Sequence, residues 1–280
     1  MQAKVDEAQD GSMTFAANRA VGDVTVEVKA VDGQSRRGAS HESGSLRVRF
    51  PSPEGEGLSA VLVNTAGGIA GGDRFGIDFT VGEAARLTVT TAAAEKVYRS
   101  HGPQARIDVK LRVSSGGRLI WLPQETILFD RAAVARNFEI DIADDAAELL
   151  MCEIVVFGRA AMGETMRQGA FVDRWRLRRG GRLVFAENIR LDGDIGAKLA
   201  RPAIGKGAVA VATVLIAPGD EALVERLRAT ATGFGAEVGI SAWNGFAMVR
   251  FCAQDASMLR GEVIAMLRGA GARLPRLWLQ

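Results

Sequence analysis

Short runs in which apolar and polar residues alternate predict β-strands along the first two-thirds of the chain. From Val24 to Val28 every second residue is valine, which is typical of a half-buried strand. A second strand is predicted over 46–50. The segments 32–45 and 51–57 are polar and rich in turn-forming residues, so we predict loops at both places. The central part of the chain contains almost no convincing helical pattern.

One sequence pattern recurs through the centre of the chain. Each copy has a β-branched residue or Leu, a turn of small or polar residues, and a Leu that opens the next strand, in VGEAARLTVT (81–90), VSSGGRLIWL (113–122), IADDAAELLMC (142–152) and LRRGGRLVFA (177–186). The marker leucines, Leu87, Leu119, Leu150 and Leu183, are 32, 31 and 33 residues apart. This spacing favours stacked strand–turn–strand units that cover one another's apolar faces. Hairpins that recur by chance in a β-sandwich are the alternative.

The pattern changes after Pro202. A buried strand is predicted over 209–216, and a helix over 220–231 with Asp220 as its cap. Two strands flank Asn244 and Gly245, a strong hairpin signal. A second helix is predicted over 256–268.

These patterns together predict a mainly β fold. We expect a flexible tail over 1–20, followed by a β-rich body over 21–203 with repeats of about 30 residues, resembling a β-solenoid or β-helix. A small α+β portion with two helices is predicted over 204–280, packed on the body.

Composition and charge narrow the classes of function. The hydrophobic fraction of 48% and charged fraction of 24% are those of a globular protein. A net charge of +2 predicts no general affinity for nucleic acid or for anionic membranes. Arginine is dense over 173–190, at Arg174, Arg176, Arg178, Arg179 and Arg182. This stretch is either a solvated strand face or a patch that binds an acidic partner.

The cysteines and the apolar runs predict a cytoplasmic protein. Cys152 and Cys252 each lie inside an apolar run, as small buried hydrophobes do in a reducing compartment. The segment 1–10 is acidic and lacks the apolar centre of a signal peptide. The longest apolar run, over 208–217, is too short to span a bilayer, so we expect no membrane partner.

Signatures of catalysis are mostly missing from the sequence. Neither His41 nor His101 has a second His or Cys at ligand spacing, which makes a zinc-type site improbable. No nucleophile elbow is present, and Lys206 lacks the glycine loop and the following Ser or Thr of a P-loop. We therefore expect no catalytic residues and no permanently bound cofactor.

One segment, NTAGGIAGGD over 64–73, is dense in glycine. Its four glycines, Gly67, Gly68, Gly71 and Gly72, permit positive φ angles and a close approach of another group to the backbone. A packed turn with Asp73 at its rim is favoured over a phosphate-binding loop, because no Lys follows the glycines.

Polar residues also interrupt apolar strands in TTAAAEKVYRS (90–100), WLPQETILFD (121–130) and FGRAAMGE (157–164). A buried carboxylate has to be hydrogen-bonded, paired or bound to a cation. Two readings are open for these residues, namely polar ladders between strands and a water-filled path lined by carboxylates. Oxygen ligands bind divalent ions weakly enough for passage. The residues concerned are Thr90, Thr91, Glu95, Gln124, Glu125, Asp130 and Glu164.

These motifs, followed by ENIRLDG over 187–193, resemble in kind and order those of the UreD (UreH) family of urease accessory proteins. The resemblance extends over roughly 45–195, and the last third matches only in general character. It implies a non-enzymatic cytoplasmic chaperone that binds apo-urease and UreF and, through UreF, the GTPase UreG. A largely β fold with few helices is implied as well. The first loop departs from the family pattern, because NTAGG stands where many members carry an apolar residue and Pro.

The resemblance also implies a route for nickel. Family members are thought to conduct Ni²⁺ through an internal tunnel into the urease active site. Matching metal-path positions here are Asp73, Glu95, Glu125 and Glu164, and further tunnel or packing candidates are Thr90, Thr91 and Tyr98. Two other hypotheses remain open, namely an adaptor that opens urease without conducting nickel, and a carboxylate-dependent enzyme acting on a small polar substrate.

Overall fold

Two β-sheets build most of the chain in a computed structural model, which describes residues 19–52, 55 and 57–280. The first sheet contains β1 (Val21–Val31), β2 (Gln34–Gly44), β5 (Arg74–Val81), β8 (Ala105–Val113), β11 (Ala133–Ile142), β14 (Gln168–Arg179) and β15 (Arg182–Asp194). The second contains β3 (Leu46–Arg49), β4 (Leu58–Asn64), β6 (Arg86–Thr91), β9 (Arg118–Leu122), β12 (Glu148–Arg159), β16 (Ala210–Ala217), β17 (Glu237–Trp243) and β18 (Phe246–Ala253). Three short strands join the second sheet at its side, β7 (Glu95–Val97), β10 (Thr126–Leu128) and β13 (Glu164–Thr165).

The predicted mainly β class is confirmed. The predicted tail over 1–20 lies outside the described residues except for its last two positions. Positions 53, 54 and 56 of the loop predicted over 51–57 also lie outside them. No helix within the described part of the chain is long and apolar enough to cross a membrane.

Long strands alternate between the two sheets from β4 to β14. Within the first sheet β5, β8, β11 and β14 pair in parallel, and within the second β4, β6, β9 and β12 do the same. Parallel neighbours need a long connection, and here each connection runs through a strand of the opposite sheet. The two sheets therefore enclose one apolar core between them. The narrower β-solenoid class stays a prediction.

Three of the four predicted repeat units coincide with a turn from the first sheet into the second, those at 81–90, 113–122 and 142–152. Leu87 pairs with Leu119 in register, and Leu119 pairs with Leu149. Leu150, the predicted marker, is therefore displaced by one residue, which turns its side chain to the opposite face of the sheet.

The fourth predicted unit, over 177–186, is wrong as a unit. Here β14 and β15 form an antiparallel hairpin within the first sheet. Gly180 and Gly181 take φ angles of 54° and 77°, so the chain reverses at once and does not cross to the other sheet. Leu183 consequently lies on an edge strand with 49% of its surface exposed.

The loop predicted over 32–45 is also wrong in part. Most of this polar segment is β2, which pairs antiparallel with the predicted and confirmed β1. β2 forms the edge of the first sheet and is largely exposed on both faces. An edge strand in water needs backbone pairing on one side only and no apolar face, so the hydrophobic pattern carries no signal for it.

The arginine-rich stretch belongs to the hairpin of β14 and β15. Arg174, Arg176 and Arg178 alternate with buried residues and face outward from the first sheet. Arg178 pairs with Glu139 on the neighbouring strand. The placement fits the interpretation as a solvated strand face.

The C-terminal elements extend the second sheet and cover its outer face. β16 pairs with β12, and β18 lies between β16 and β17, with the predicted Asn244–Gly245 turn joining the last two strands. The two predicted helices are confirmed as α2 (Glu221–Thr230) and α3 (Ala256–Gly269). Asp220 caps α2 as predicted, since its Oδ1 accepts a hydrogen bond from Leu223 N at 2.8 Å. A second apolar core lies between these helices and the sheet.

Sequence patterns did not predict a short helix in the body, α1 (Ile195–Ala200), which Asp194 caps. Pairing of β12 with β16 runs across the predicted division between 203 and 204. The division itself stays a prediction.

Leu119 and Leu183 differ sharply in environment, although the repeat pattern treats them as equivalent. Leu119 is fully buried between the sheets, so Leu119→Ala should lower the free energy of unfolding by about 2–5 kcal/mol. Leu183→Ala on the exposed edge should change it by less than about 0.5 kcal/mol. Urea unfolding followed by circular dichroism measures both. Equal losses in the two variants would contradict the hairpin of β14 and β15.

Candidate functional site

Segments that carry the family-like motifs meet at one edge of the structure. The glycine segment bridges to β7 through Ile69 and Val97, β7 pairs with β10, and β10 pairs with β12. All these pairings are parallel, so equivalent points of each segment lie side by side. We name this region, formed by 64–73, 95–100, 124–131 and 157–165, the motif edge.

The glycine segment is a packed turn, as the favoured reading predicts. A Cβ on Gly68 would lie 2.4 Å from the ring of Tyr98, and one on Gly71 would lie 2.1 Å from Ser100 Oγ. The Tyr98 hydroxyl donates a hydrogen bond to Gly67 O at 2.8 Å. Glycine is required here because neighbouring groups occupy the space of a side chain.

Asp73 is buried beneath this turn and does not lie at its rim. Its Oδ1 accepts a hydrogen bond from Ala20 N at 2.9 Å, and its Oδ2 accepts one from Ala70 N at 2.7 Å. Arg19 Nη1 also donates to Gly71 O at 2.9 Å. Both carboxylate oxygens of Asp73 therefore fasten the glycine turn to the start of the first sheet.

Glu95 differs from Glu125 and Glu164, because no cation pairs with it among the described residues. Asn64 Nδ2 donates a hydrogen bond to Glu95 Oε2 at 3.0 Å and another to Gly68 O at 3.1 Å. Burial raises the pKa of Glu95, and the hydrogen bond from Asn64 offsets only part of that effect. Glu95 is thus a half-buried acid whose ionised form would gain from an additional positive partner.

Glu125 and Glu164 each have a cationic partner. Arg260 on α3 pairs with Glu125. Arg159 pairs with Glu164, whose Oε1 also accepts a hydrogen bond from Asp130 N at 3.1 Å. The pair of Arg260 and Glu125 holds α3 to the motif edge, and the hydrogen bond from Asp130 N to Glu164 holds the short strand β13 to the segment 124–131.

The predicted threonines have different surroundings. Thr91 Oγ1 accepts a hydrogen bond from Gln124 N at 2.8 Å and donates one to Ala93 O at 2.9 Å. Thr90 is 3% exposed, and its Oγ1 has no hydrogen-bond partner within the described structure. Buried hydroxyls without partners are uncommon, so Thr90 requires an explanation.

The predicted carboxylates are brought to one region but do not form one cluster. Glu95 N donates a hydrogen bond to Glu125 O at 2.8 Å, which places their backbones on adjacent strands. Across the described ranges no three His, Cys, Asp or Glu side chains gather in a way that could hold a metal ion.

A buried ionic network deeper between the sheets escaped the sequence analysis. Arg136 Nη2 lies 2.7 Å from Asp173 Oδ2, and Arg136 Nη1 lies 2.7 Å from Glu153 Oε2. Trp121 Nε1 donates a hydrogen bond to Glu153 Oε1 at 2.8 Å. Arg136, Glu153 and Asp173 are 3%, 5% and 4% exposed. Two carboxylates thus share one guanidinium, and burial raises the pKa of Glu153 although Arg136 opposes that shift.

A signal for this network was present in the strand patterns. Arg136 occupies an inward position of β11, between Val134 and Phe138, and Asp173 occupies one of β14. Charged residues at inward positions of two alternating strands indicate a buried pair. The pairing of β11 with β14 then sets Arg136 beside Asp173 in register.

The motif edge and the buried network are connected through Thr126. Arg136 Nη1 donates a hydrogen bond to Thr126 Oγ1 at 3.2 Å. Thr126 is the register partner of Glu95 on the neighbouring strand, so both side chains leave the strands on the same face. Polar groups therefore extend from Glu95 at the motif edge to Glu153 and Asp173 in the core.

Loss of the guanidinium should leave two buried carboxylates without a cation. Arg136→Met is expected to lower the free energy of unfolding at pH 7 by about 3–5 kcal/mol. Acidification should recover part of this loss, because protonation removes the buried charge. The control Arg178→Met removes an exposed ion pair and should cost no more than about 1 kcal/mol. Urea unfolding at several pH values measures both, and equal costs would refute the role of Arg136.

Known proteins resemble this chain over almost its whole length. The family model described as the UreD urease accessory protein matches residues 20–279. A urease accessory protein UreD of Rhodopseudomonas palustris strain HaA2 is 70% identical over 269 residues, which cover 96% of each chain. One from Bradyrhizobium diazoefficiens is 67% identical over 268 residues, covering 96% of this chain and 97% of the relative. A protein named UreD 3 from Bradyrhizobium strain BTAi1 is 62% identical over 277 residues, 99% of each.

The matched range also includes the C-terminal third, where the motifs carried little resemblance. The resemblance stated from the motifs is therefore confirmed, and this chain belongs to the UreD family of urease accessory proteins.

Proposed function

We propose that this chain is a non-enzymatic chaperone of urease maturation. It binds the apo-urease subunits and the accessory protein UreF, and through UreF the GTPase UreG, and it helps nickel to enter the urease active site. The observation that supports this role is the family match over residues 20–279. We place the protein in the cytoplasm, where Cys152 and Cys252, both free thiols, would stay reduced.

Nickel is cargo in this proposal and has no resident site. The polar groups from Glu95 through Thr126 to Glu153 support an internal route for a divalent cation. Glu95 is the first residue of that route, since it is half-buried without a cationic partner among the described residues and its pKa is raised. A cation beside Glu95 would replace the missing positive charge and favour the ionised form. Oxygen ligands alone hold nickel weakly, which suits passage.

A second candidate, an adaptor that opens urease without conducting nickel, has its own support. Asp73 uses both oxygens on backbone amides, while Glu125 and Glu164 are each paired with arginine. Those three carboxylates can serve structure alone. The two candidates therefore differ chiefly in what they expect of Glu95.

Co-expression with the apo-urease subunits tests the maturation role. With this chain present, urease should co-purify with it, and both the nickel content and the activity of the urease should rise. Without the chain, nickel content and activity should stay low. The readouts are a pull-down, metal analysis and urea hydrolysis. Full urease activity without this chain, together with no binding, would refute the role.

Glu95→Gln separates the route from the adaptor. The variant should still co-purify with urease, while the nickel bound per urease should fall several-fold, because an amide attracts a cation less strongly than a carboxylate does. Glu139→Gln, on the outer face of the first sheet, is the matched control and should leave nickel loading unchanged. Normal nickel loading with Glu95→Gln would favour the adaptor.

The effect of Glu95→Gln on the free energy of unfolding also has a predicted direction. The raised pKa of Glu95 means that its contribution to stability is present at low pH and is lost as pH rises from the unfolded value through the folded one. At pH 7 Glu95→Gln should therefore raise the free energy of unfolding, by about 1 kcal/mol. This gain should shrink under acid conditions, where Glu95 is already protonated.

A further inference from the structure

Arg136 lies across the polar route that starts at Glu95. Its Nη1 atom donates one hydrogen bond to Thr126 Oγ1 at 3.2 Å and another to Glu153 Oε2 at 2.7 Å. Thr126 is the register partner of Glu95, and Glu153 lies on the strand that follows in the sheet. A divalent cation that leaves Glu95 for the interior therefore meets a guanidinium, and like charges repel strongly in a buried site.

The bonds of Arg136 divide between the two sheets. Within the first sheet, Nε and Nη2 donate to the two oxygens of Asp173 at 3.2 and 2.7 Å. The guanidinium carbon also lies 5.3 Å from the ring centre of Phe138 and 5.4 Å from that of Phe171, both in the first sheet. Among the described residues, only Nη1 bonds to side chains outside the first sheet. The first sheet can therefore hold the guanidinium after the bonds through Nη1 break.

Glu153 likewise keeps a partner of its own when Nη1 leaves. Trp121 Nε1 donates a hydrogen bond to Glu153 Oε1 at 2.8 Å, so the oxygen that Nη1 would set free is Oε2. Trp121 and Glu153 both belong to the second sheet. The buried network thus consists of two halves, each held within one sheet, that Nη1 joins.

The charges of the two halves balance separately once a divalent cation is present. Arg136 and Asp173 form a neutral pair in the first sheet. Glu153 and Glu95, in their ionised forms, carry the two negative charges that match one Ni²⁺ ion. Without the ion, Arg136 has to neutralise Glu153 as well, because a buried carboxylate needs a positive partner. An entering divalent cation can therefore replace Nη1 without leaving a charge unpaired.

We propose that Arg136 gates the nickel route: Nη1 holds Glu153 and Thr126 until an entering Ni²⁺ ion takes its place on their oxygens, while Asp173 retains the guanidinium in the first sheet. The inference rests on the proposed function, which supplies the cation. Arg136 is a positioning residue, because it decides when Glu153 is available and does not itself bind nickel. The route is closed in the resting chain, and its affinity for nickel is lowered by the small fraction of molecules in which Nη1 has left.

Asp173→Asn tests whether the first sheet has to retain the guanidinium. Without the Asp173 carboxylate, Glu153 is the sole charged partner of Arg136 among the described residues, so the guanidinium should stay on Glu153 and keep the route closed. The variant should still co-purify with urease, whereas the nickel bound per urease should fall several-fold. Circular dichroism reports whether the variant is folded.

The double variant Arg136→Met/Asp173→Asn separates a gate from a ligand. It removes the guanidinium together with its neutral partner, so Glu153 becomes available and nickel loading should return to the wild-type level. If Asp173 were a ligand of nickel, or served the fold alone, adding Arg136→Met would not restore loading. Arg178→Met/Glu139→Gln removes an exposed ion pair from the same two strands and is the matched control, with loading unchanged.

Equilibrium dialysis of the isolated full chain against NiCl₂ provides a readout that needs no urease. The double variant should bind Ni²⁺ at least about tenfold more tightly than the wild-type chain, since no guanidinium has to be displaced. Adding Glu153→Gln should abolish that gain, which assigns the bound ion to Glu153. Metal analysis of the dialysed protein measures both effects.

Four results would each overturn the inference. These are normal nickel loading with Asp173→Asn, no recovery of loading in the folded double variant, equal nickel affinities of the double variant and the wild-type chain, and a gain in affinity that survives Glu153→Gln. Should the double variant fail to fold, the loading of Asp173→Asn decides. Co-expression of the wild-type chain with urease reports on the maturation role separately, so the gate can fail while that role stands.

Discussion

One guanidinium, that of Arg136, binds two buried carboxylates that come from different sheets. Asp173 belongs to the first sheet and Glu153 to the second, and otherwise an apolar core separates the two sheets. Burying three charges is costly, and the cost is offset only in the geometry where all three meet. This requirement ties the register of β11 and β14 to the position of β12. A shift of one residue in any of these strands would leave a charge without its partner.

The same network gives the interior of the protein a polar path within an apolar core. Arg136 also contacts Thr126, which stands beside Glu95 in the parallel pairing of β7 and β10. Carboxylates in the motifs thereby fall into two kinds. Asp73 fastens the glycine turn through both its oxygens, whereas Glu95 is half-buried with only Asn64 as a side-chain partner in the described structure. The first kind is explained by folding alone, and the second has charge to offer to a cation.

The C-terminal helices cover only part of the outer face of the second sheet. α2 and α3 cover the strands near β16 with apolar side chains, whereas β4 and β6 carry hydroxyls on this face and lie beside the C-terminal segment 271–277, which Trp278 holds to β9 through its hydrogen bond to Leu122 O. Covered and open regions therefore differ in chemistry as well as in exposure.

The sequence by itself determined the β class, both C-terminal helices, the Asn244–Gly245 hairpin and the family, because these depend on local periodicity, turn chemistry and motif order. Tertiary structure alone decided which strands share a sheet. The unit at 177–186 resembles the other repeats, yet it turns back as a hairpin, and polar β2 is a strand because β1 offers it backbone partners. The partners of Glu95 were likewise not predictable, and the inward positions of Arg136 and Asp173 indicated a buried pair only once their strands were known to be neighbours, since these partners come from residues distant in the chain.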